Sequence, residues 1–190
     1  MKEKVLLLGL STGGPAHLNQ ILSNVSRLKA HVIVAQHMKE DVISFFINDL
    51  SSSFSHLLFE STPTILSHKK KIAVCASCSY ISKANSRDIH VECKDEQGKF
   101  TPDINQLFLS SVKLCKYYRV YAAILTGIGD DGVKGLMELK KSGAVTVAES
   151  SESAPVYGMP RCAVESGAAD HVYNLNDMIN FFLSEGLFDA

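Results

Sequence analysis

The amino-acid sequence predicts an α/β fold: a doubly wound, mostly parallel sheet with helices on both faces. Short apolar runs of strand length alternate with longer stretches whose apolar residues recur at helical spacing. Strand, helix, strand and helix succeed one another within the first fifty residues, an order typical of a parallel sheet covered by helices. The length of 190 residues suits one domain, and no linker, repeat or low-complexity tract interrupts the pattern.

The first half of the chain predicts two strands, each followed by a helix. The strands are the apolar runs Val5–Leu10 and His31–Ala35, and the helices follow Gly13-Gly14-Pro15 and Asp41. Because apolar residues recur at helical spacing after both turns, we expect them to face the core. They are Leu18, Ile21, Leu22 and Val25 in the first helix and Val42, Phe45, Phe46 and Leu50 in the second.

The middle of the chain predicts a short antiparallel excursion over about residues 77–100. It follows a strand at Lys71–Cys75. Asp88–Cys93 alternates apolar and polar residues as a half-exposed strand does, and Asp95–Gly98 is typical of a turn. This region is therefore expected to differ from the buried parallel strands that flank it.

The second half predicts alternating strands and helices again. Thr101 or Asp103 is expected to cap a helix that carries Leu107, Phe108, Val112 and Leu114. The remaining predicted elements are strands at Val120–Leu125 and Ala144–Ala148 with a helix between them, a polar loop at Glu149–Ala154 and a closing helix at Asn176–Leu187.

Composition excludes several classes of protein. The 19 Lys and Arg residues balance 20 Asp and Glu residues, which leaves a net charge of −1 and no basic surplus for a nucleic acid. No apolar run approaches the roughly 18 residues of a membrane span, and the short run after Met1 leads into Ser-Thr-Gly-Gly-Pro rather than a signal cleavage site. We therefore expect a cytoplasmic protein without a cofactor, and we favour a monomer.

The cysteines and histidines give no metal signature. The five cysteines are odd in number and scattered, which argues against a disulfide framework. Cys75 and Cys78 have C-x-x-C spacing, but no second pair exists and Cys75 ends an apolar run, so buried structural thiols are favoured over a metal or redox role. No H-E-x-x-H spacing occurs, so we interpret as ordinary core or surface residues His17, His31, His56, His68, His90 and His171.

Reactive side chains follow three of the predicted strands. Ser11 follows the first strand, His37 the second, and Asp130 and Asp131 follow Val120–Leu125. Because the carboxyl ends of parallel strands meet at one edge of a sheet, these side chains are expected to lie together. A hydroxyl, an imidazole and a carboxylate are what acyl transfer needs: a nucleophile, a base that returns the proton, and a group that orients the base.

The two glycine-rich turns offer backbone N–H groups for a developing oxyanion. Gly9-Leu-Ser-Thr-Gly13 matches G-x-S-x-G, a strained turn between strand and helix that exposes the serine oxygen. The start of the following helix leaves N–H groups unpaired at the positive end of its dipole. We therefore expect Thr12 or Gly13, together with the loop 127–132, to supply the donors.

The residues alone leave other interpretations open. A glycine-rich turn between strand and helix also binds phosphate or dinucleotides, although the G-x-G-x-x-G string, the acidic residue after the second strand and the Walker lysine are missing. An α/β-hydrolase would order its triad as Ser, acid and His, whereas the order here is Ser11, His37 and Asp131. On pattern alone, esterase chemistry and a phosphate-binding module are equally favoured.

Four segments in one order resemble the catalytic domain of the chemotaxis protein-glutamate methylesterases, the CheB family. The similarity runs from about Lys4 to the last helix. The separations, 26 residues from Ser11 to His37 and 94 more to Asp131, are also like those of the family. The segments are Gly9-Leu-Ser-Thr-Gly-Gly-Pro15, Gln36-His-Met38, Leu125-Thr-Gly-Ile-Gly-Asp-Asp-Gly132 and Val156-Tyr-Gly-Met-Pro-Arg161.

The resemblance implies a serine hydrolase that removes methyl groups from glutamate γ-methyl esters on the cytoplasmic helices of chemoreceptors. Methanol would be released, and deamidation of receptor glutamines is the family's related activity. Ser11 would attack the ester, His37 would take its proton, and Asp131 would orient His37. The alternative is a non-catalytic module on the same scaffold, which binds an anion or a receptor peptide.

The resemblance also implies roles around the triad. Backbone N–H groups of the Gly127–Gly129 loop, those of Ile128 and Gly129 among them, would join the oxyanion site. Thr12 would give a supporting hydrogen bond or cap the helix. Met159 and Arg161 are candidate substrate contacts.

The chain departs from the family's pattern at several places. Tyr80 ends Ala76-Ser-Cys-Ser-Tyr80, where the family has a Pro-Gly-x-x-His segment, and Thr101-Pro-Asp103 replaces Arg-Pro-Ser. Ile128 replaces a methionine. These changes affect expected substrate contacts and leave the triad intact. The family usually carries a receiver domain first, whereas here the first strand begins a few residues after Met1, so we expect residues 1–190 to be a single methylesterase catalytic domain without a receiver.

Overall fold

The structure, a computed structural model, describes residues 2–94 and 100–190. The α-helices in these residues are α1 (Gly14–Leu22), α2 (Glu40–Ser53), α3 (Ile104–Ser111), α4 (Val133–Lys141), α5 (Met159–Glu165) and α6 (Leu175–Ser184), with a 3-10 helix at Val112–Lys116 after α3. The strands are β1 (Lys4–Leu10), β2 (Arg27–Leu28), β3 (His31–Gln36), β4 (Phe59–Ser61), β5 (Thr64–Leu66), β6 (Ile72–Val74), β7 (Cys78–Ala84), β8 (Ile89–Lys94), β9 (Arg119–Ile124), β10 (Val145–Glu149), β11 (His171–Tyr173) and β12 (Phe188–Asp189).

Seven parallel strands form the main sheet, in the order β11-β10-β9-β1-β3-β6-β4. β1 lies at the centre, between β3 on one side and β9 on the other. After β1 the chain first builds the side that contains β3, β4 and β6 and then crosses to build the side that contains β9, β10 and β11. The predicted doubly wound α/β fold is thus confirmed. The change of direction beside β1 is where ligands bind in such sheets.

The central strand is buried on both faces because helices cover both. Leu6, Leu8 and Leu10 face one core, to which α1, α2 and α6 contribute. Val5 and Leu7 point the other way, into a second core with α3, α4 and α5. Each such side chain contributes roughly 1.5–3 kcal/mol when it is fully buried. The continuous apolar run of β1 therefore serves two hydrophobic cores.

A small antiparallel sheet, β5-β8-β7, packs on the second core. β7 and β8 confirm the excursion predicted over about residues 77–100. β5 was not predicted, because it is only three residues long. The predicted turn at Asp95–Gly98 lies outside the described residues.

Several predicted details of the helices are wrong. In α2 the core stripe is Ile43, Phe46 and Leu50, whereas Val42 is 42% and Phe45 75% exposed. Successive helical residues are about 100° apart, so positions beside the stripe turn outward. The last helix is α6, which ends at Ser184; the chain then forms β12, which pairs with β2.

The predicted polar loop at Glu149–Ala154 also begins one residue too early. Glu149 is the last residue of β10 and is fully buried. The elements α5, β2, β4 and β11 were not predicted; all are short, and a segment of two to seven residues shows little periodicity. No helix in residues 2–94 and 100–190 combines the length and apolar character that a membrane crossing requires.

Candidate active site

Ser11 is the first residue after β1 and opens the turn into α1. Its N–H donates to Thr126 O at 2.9 Å, and its carbonyl accepts the Gly14 N–H at 2.8 Å. Gly13 is the N-cap of α1 with φ 87°, a left-handed conformation that glycine adopts without strain. The expected cap at Thr12 is therefore wrong by one residue. The turn holds Ser11 at the carboxyl edge of the sheet.

His37 joins Ser11 to Asp131 through its two ring nitrogens. Nδ1 lies 3.1 Å from Ser11 Oγ, and Nε2 lies 2.8 Å from Asp131 Oδ2. The His37 N–H donates to Leu10 O at 2.9 Å, which ties the end of β3 to the end of β1. The Phe100 ring stacks on the imidazole, with centroids 5.1 Å apart and planes 7° apart. Backbone pairing and ring stacking together orient the imidazole.

Asp131 is 2% exposed and accepts hydrogen bonds on both oxygens. Oδ2 accepts from His37 and from the Ile104 N–H, and Oδ1 accepts from the Asn105 and Gly132 N–H groups. Two of these donors are the first N–H groups of α3, where the helix dipole is positive. Burial alone would raise the pKa of Asp131, but the hydrogen bonds from His37 and α3 outweigh it and hold the pKa below its ordinary value. The carboxylate is thus kept charged beside the imidazole.

The neighbouring carboxylate, Asp130, is exposed. The residues alone do not distinguish the two aspartates, but the geometry favours Asp131, because Asp131 is bonded to His37 and Asp130 faces solvent.

The N-cap of α3 is Asp103, one of the two predicted caps. Its side chain accepts the Gln106 N–H at 2.7 Å.

Gln36 bridges Ser11 and His37. Its side chain is buried, and Nε2 donates to Ser11 O at 2.9 Å and to His37 O at 3.0 Å. A Cβ at Gly14 would collide with Gln36 Oε1, so a glycine at that position makes room for the amide. One side chain thus sets the spacing between the backbones that carry Ser11 and His37.

The two glycine-rich turns contain N–H groups that have no acceptor in the described part of the chain. Among the hydrogen bonds of residues 2–94 and 100–190, none uses the N–H of Thr12, Gly13, Ile128 or Gly129 as donor. Gly127 lies against Ser11, since a Cβ on it would be 2.5 Å from Ser11 Cβ. The oxyanion role of these four N–H groups stays a prediction. The Ile128 side chain is 66% exposed at this edge.

The candidate substrate contacts divide into one buried and one exposed residue. Met159 is fully buried against Gly127, and its contact with substrate stays a prediction. Arg161 is exposed and lies 4.0 Å from Glu165 on the same helix. Tyr80 donates to Glu92 at 3.0 Å across the antiparallel sheet, and Thr101 O accepts the Met38 N–H at 3.2 Å, next to His37.

The C-x-x-C cysteines are buried free thiols, as predicted. Burial raises the pKa of the Cys75 thiol to about 12, which keeps it protonated at neutral pH. Across residues 2–94 and 100–190, no three His, Cys, Asp or Glu side chains form a group that could hold a metal ion.

The family model described as CheB methylesterase matches residues 6–182. The chain belongs to the CheB methylesterase family. The resemblance drawn from the four sequence segments is thereby confirmed.

Relatives in this family cover nearly all of the chain. A protein-glutamate methylesterase/protein-glutamine glutaminase of Carboxydothermus hydrogenoformans is 31% identical over 93% of this chain and 52% of its own length. One from Bacillus subtilis is 33% identical over 93% of this chain and 50% of its own. The crystal structure of the Thermotoga maritima CheB methylesterase catalytic domain matches with a TM-score of 0.80 and 26% identity, over 97% of this chain and 99% of that one. The chain spans about half the length of the curated relatives it matches.

Within this CheB methylesterase fold, some residues at the site were not predicted. Phe100 stacks on His37 from outside any helix or strand, so no apolar periodicity marks it. Gln36 was noted only as the neighbour of His37; a polar residue at the end of a buried strand is the signal that could have found it. Glu149 and His17, interpreted as loop and ordinary residues, form a buried hydrogen-bonded pair near Thr126.

Proposed function

We propose that this chain is a protein-glutamate methylesterase, a serine hydrolase that acts on glutamate γ-methyl esters of chemoreceptors. The observation that carries the proposal is the hydrogen-bonded series Ser11, His37 and Asp131, with distances of 3.1 and 2.8 Å. The printed names of the relatives, protein-glutamate methylesterase/protein-glutamine glutaminase, support the substrate class. Those names also support deamidation of glutamine side chains by the same residues. A cytoplasmic location follows if the substrate is the cytoplasmic part of the receptors.

In the first half-reaction Ser11 is the nucleophile. Its Oγ attacks the γ-carbonyl carbon of the ester while its proton passes to His37 Nδ1. Asp131 accepts the hydrogen bond from Nε2–H and stabilises the imidazolium that forms. The oxyanion of the tetrahedral intermediate would be bound by the unused N–H groups beside Ser11, and one well-placed donor lowers the barrier by roughly 3 kcal/mol.

The first half-reaction ends when the tetrahedral intermediate collapses, His37 returns its proton to the departing methoxide, and methanol leaves the acyl-enzyme. In the second half-reaction water attacks the acyl-enzyme and gives a proton to His37. His37 passes that proton to Ser11 Oγ as the second tetrahedral intermediate collapses, which releases a free glutamate side chain. With a glutamine substrate the same steps release ammonia instead of methanol.

The test is methanol release from methylated chemoreceptor membranes by this protein and by its Ser11→Ala variant. We expect release by the parent alone, with the melting temperature of the variant close to that of the parent, because Ser11 makes its backbone bonds without its hydroxyl. Activity that survives Ser11→Ala would rule out the triad. No release by either folded protein would instead favour the non-catalytic binding module.

A further inference from the structure

Glu149 is a buried carboxylate that the proposed mechanism does not use. It is fully buried at the end of β10. Oε1 accepts from His17 Nε2 at 2.8 Å and from Ser153 Oγ at 2.7 Å, and Oε2 accepts the Thr126 N–H at 2.9 Å. A carboxylate away from water is unfavourable unless donors satisfy it. Three donors from separate parts of the chain converge on this one.

The residue that Glu149 holds, Thr126, is bonded to the nucleophile turn. Thr126 O accepts the Ser11 N–H at 2.9 Å, and Thr126 Oγ1 donates to Thr12 O at 2.7 Å. Its Oγ1 also accepts the Val156 N–H at 3.1 Å. Every polar group of Thr126 therefore has a partner, and two of those partners belong to the residues on which nucleophile placement depends.

From these contacts we infer that Glu149 is a positioning residue for Ser11. It anchors the Thr126 N–H, and Thr126 in turn sets the backbone of Ser11 and Thr12; His17 and Ser153 hold the carboxylate in place. Glu149 touches no reacting atom, so its effect is transmitted through Thr126. The inference rests on the proposed function only in that Ser11 is the nucleophile.

Two substitutions separate positioning from mere filling of space. In Glu149→Gln the amide oxygen can still accept the Thr126 N–H, while its NH₂ faces His17 and Ser153, which can both accept after a change of tautomer or a hydroxyl rotation. In Glu149→Leu the volume is similar, but the Thr126 N–H loses its acceptor. Positioning therefore predicts that Gln rescues and Leu does not.

The matched control is Asp170, which is bonded to Thr146 near the start of β10, whereas Glu149 is the last residue of that strand. Its Oδ2 accepts the Thr146 N–H at 3.0 Å, as Glu149 accepts that of Thr126. Asp170→Leu removes a carboxylate acceptor from a backbone N–H far from Ser11. It is expected to lower stability and leave the reactivity of Ser11 unchanged.

The experiment is the second-order rate at which a fluorophosphonate probe labels Ser11, with folding checked by circular dichroism. Because the probe needs no receptor, labelling by the parent without methanol release would reject the esterase function alone, and no labelling by the parent would reject the nucleophile and this inference together. We expect Glu149→Leu to label about 100-fold more slowly, as a displaced catalytic group does. Glu149→Gln is expected to label within about threefold of the parent and Asp170→Leu within about twofold.

Two results would overturn the inference: folded Glu149→Leu that labels at the parental rate, or Asp170→Leu that slows labelling as much as Glu149→Leu. If Glu149→Leu does not fold, His17→Ala and His17→Gln take its place. The Ala variant removes one donor from the carboxylate and is expected to slow labelling by up to about tenfold, whereas Gln restores an N–H donor and the rate. Equal rates for the two variants would contradict the inference.

Discussion

The protein contains two histidine–carboxylate pairs, His37 with Asp131 and His17 with Glu149, and they differ in the group that the second ring nitrogen meets. His37 and Asp131 are 2.8 Å apart, and so are His17 and Glu149. In the first pair, the other nitrogen of His37 lies 3.1 Å from a serine hydroxyl. In the second pair, no hydroxyl is bonded to the His17 ring among the described residues; the serine nearby donates to the carboxylate instead.

A short histidine–carboxylate distance is therefore not enough to identify a histidine that can take a proton from a serine. A proton can be taken from a nucleophile only where the free ring nitrogen faces one. His37 meets that condition at the edge of the sheet. His17 points its bonded nitrogen at a buried acceptor, which suits anchoring of the backbone.

The largest expected difference between the two pairs is measured by replacing each histidine with alanine. We expect His37→Ala to lower kcat for ester hydrolysis by about 10⁵-fold or more, because the proton of Ser11 loses its acceptor. His17→Ala is expected to lower it by no more than about tenfold, since only the support of Glu149 is lost. Rates of methanol release measure both, and similar losses for the two variants would refute the distinction.

The proposed catalytic role of Asp131 can be tested against Asp130, its neighbour in sequence. In Asp131→Asn one side-chain oxygen becomes an NH₂ group, which meets donors at both positions that the carboxylate oxygens occupy. If this NH₂ donates to His37 Nε2, the ring proton of His37 must move to Nδ1. His37 can then no longer accept from Ser11, so we expect kcat to fall by about 10⁴-fold. Asp130→Asn is the control and should be close to the parent, because Asp130 is exposed. A larger loss at Asp130 would mean that the wrong aspartate is assigned.

A smaller effect is expected at Gln36, which joins the backbones of Ser11 and His37. Gln36→Met removes both hydrogen bonds to Ser11 O and His37 O but keeps a similar volume. We expect kcat to fall by about 100-fold with KM little changed, because the nucleophile and base lose their spacing. Gln20→Met, at an exposed glutamine that donates to Asn176, is the matched control and should change neither. An unchanged kcat in Gln36→Met would show that strand pairing alone sets the geometry.

A third buried histidine, His31, differs from His37 and His17 because no carboxylate among the described residues is bonded to it. Burial, and then the charge of Lys70, lowers its pKa from 6.5 to about 4, and its Nδ1 is buried without a partner in the described residues. Between pH 6.5 and 4 the unfolded chain binds a proton that the folded chain does not. The free energy of unfolding should therefore fall as pH is lowered through this window, by about 1.4 kcal/mol per pH unit.

Urea denaturation at a series of pH values measures this effect. His31→Gln removes the titrating group and keeps an N–H that can reach Ser67 O, the present acceptor. Its stability should change less over the window than that of the parent, and its esterase activity at pH 7 should be parental. If the free energy of unfolding depended on pH identically in the two proteins, folded His31 would take up its proton over the same pH range as in the unfolded chain, and the prediction would be wrong.

The parts of the fold that the sequence predicted are those whose cause is local. β1 and β3 are continuous apolar runs, and α1 and α3 start at recognisable turns, so periodicity was sufficient. β4 and β5 are three residues each and gain their place by pairing with distant strands. The outward position of Phe45 depends on which side of α2 meets the sheet, which spacing alone does not tell.

The site divides in the same way. The proximity of Ser11, His37 and Asp131 could be predicted because each follows a predicted parallel strand, and the carboxyl ends of parallel strands lie at one edge of the sheet. The residues that hold these three in place could not be predicted. Phe100 reaches His37 from a loop, and Glu149 is polar at a position where polarity usually means solvent. Only the packed structure shows that its three donors surround it.

The two ring nitrogens of His37 have different duties, and a chemist could address them separately. Nδ1 faces Ser11 and Nε2 faces Asp131. A histidine methylated on Nδ1 at position 37 would have no lone pair for the serine proton, and it would donate to Asp131 from Nε2 only as the imidazolium cation. The regioisomer methylated on Nε2 would keep the lone pair and crowd the carboxylate. A single methyl group, moved between two atoms of one ring, would therefore separate proton acceptance from orientation.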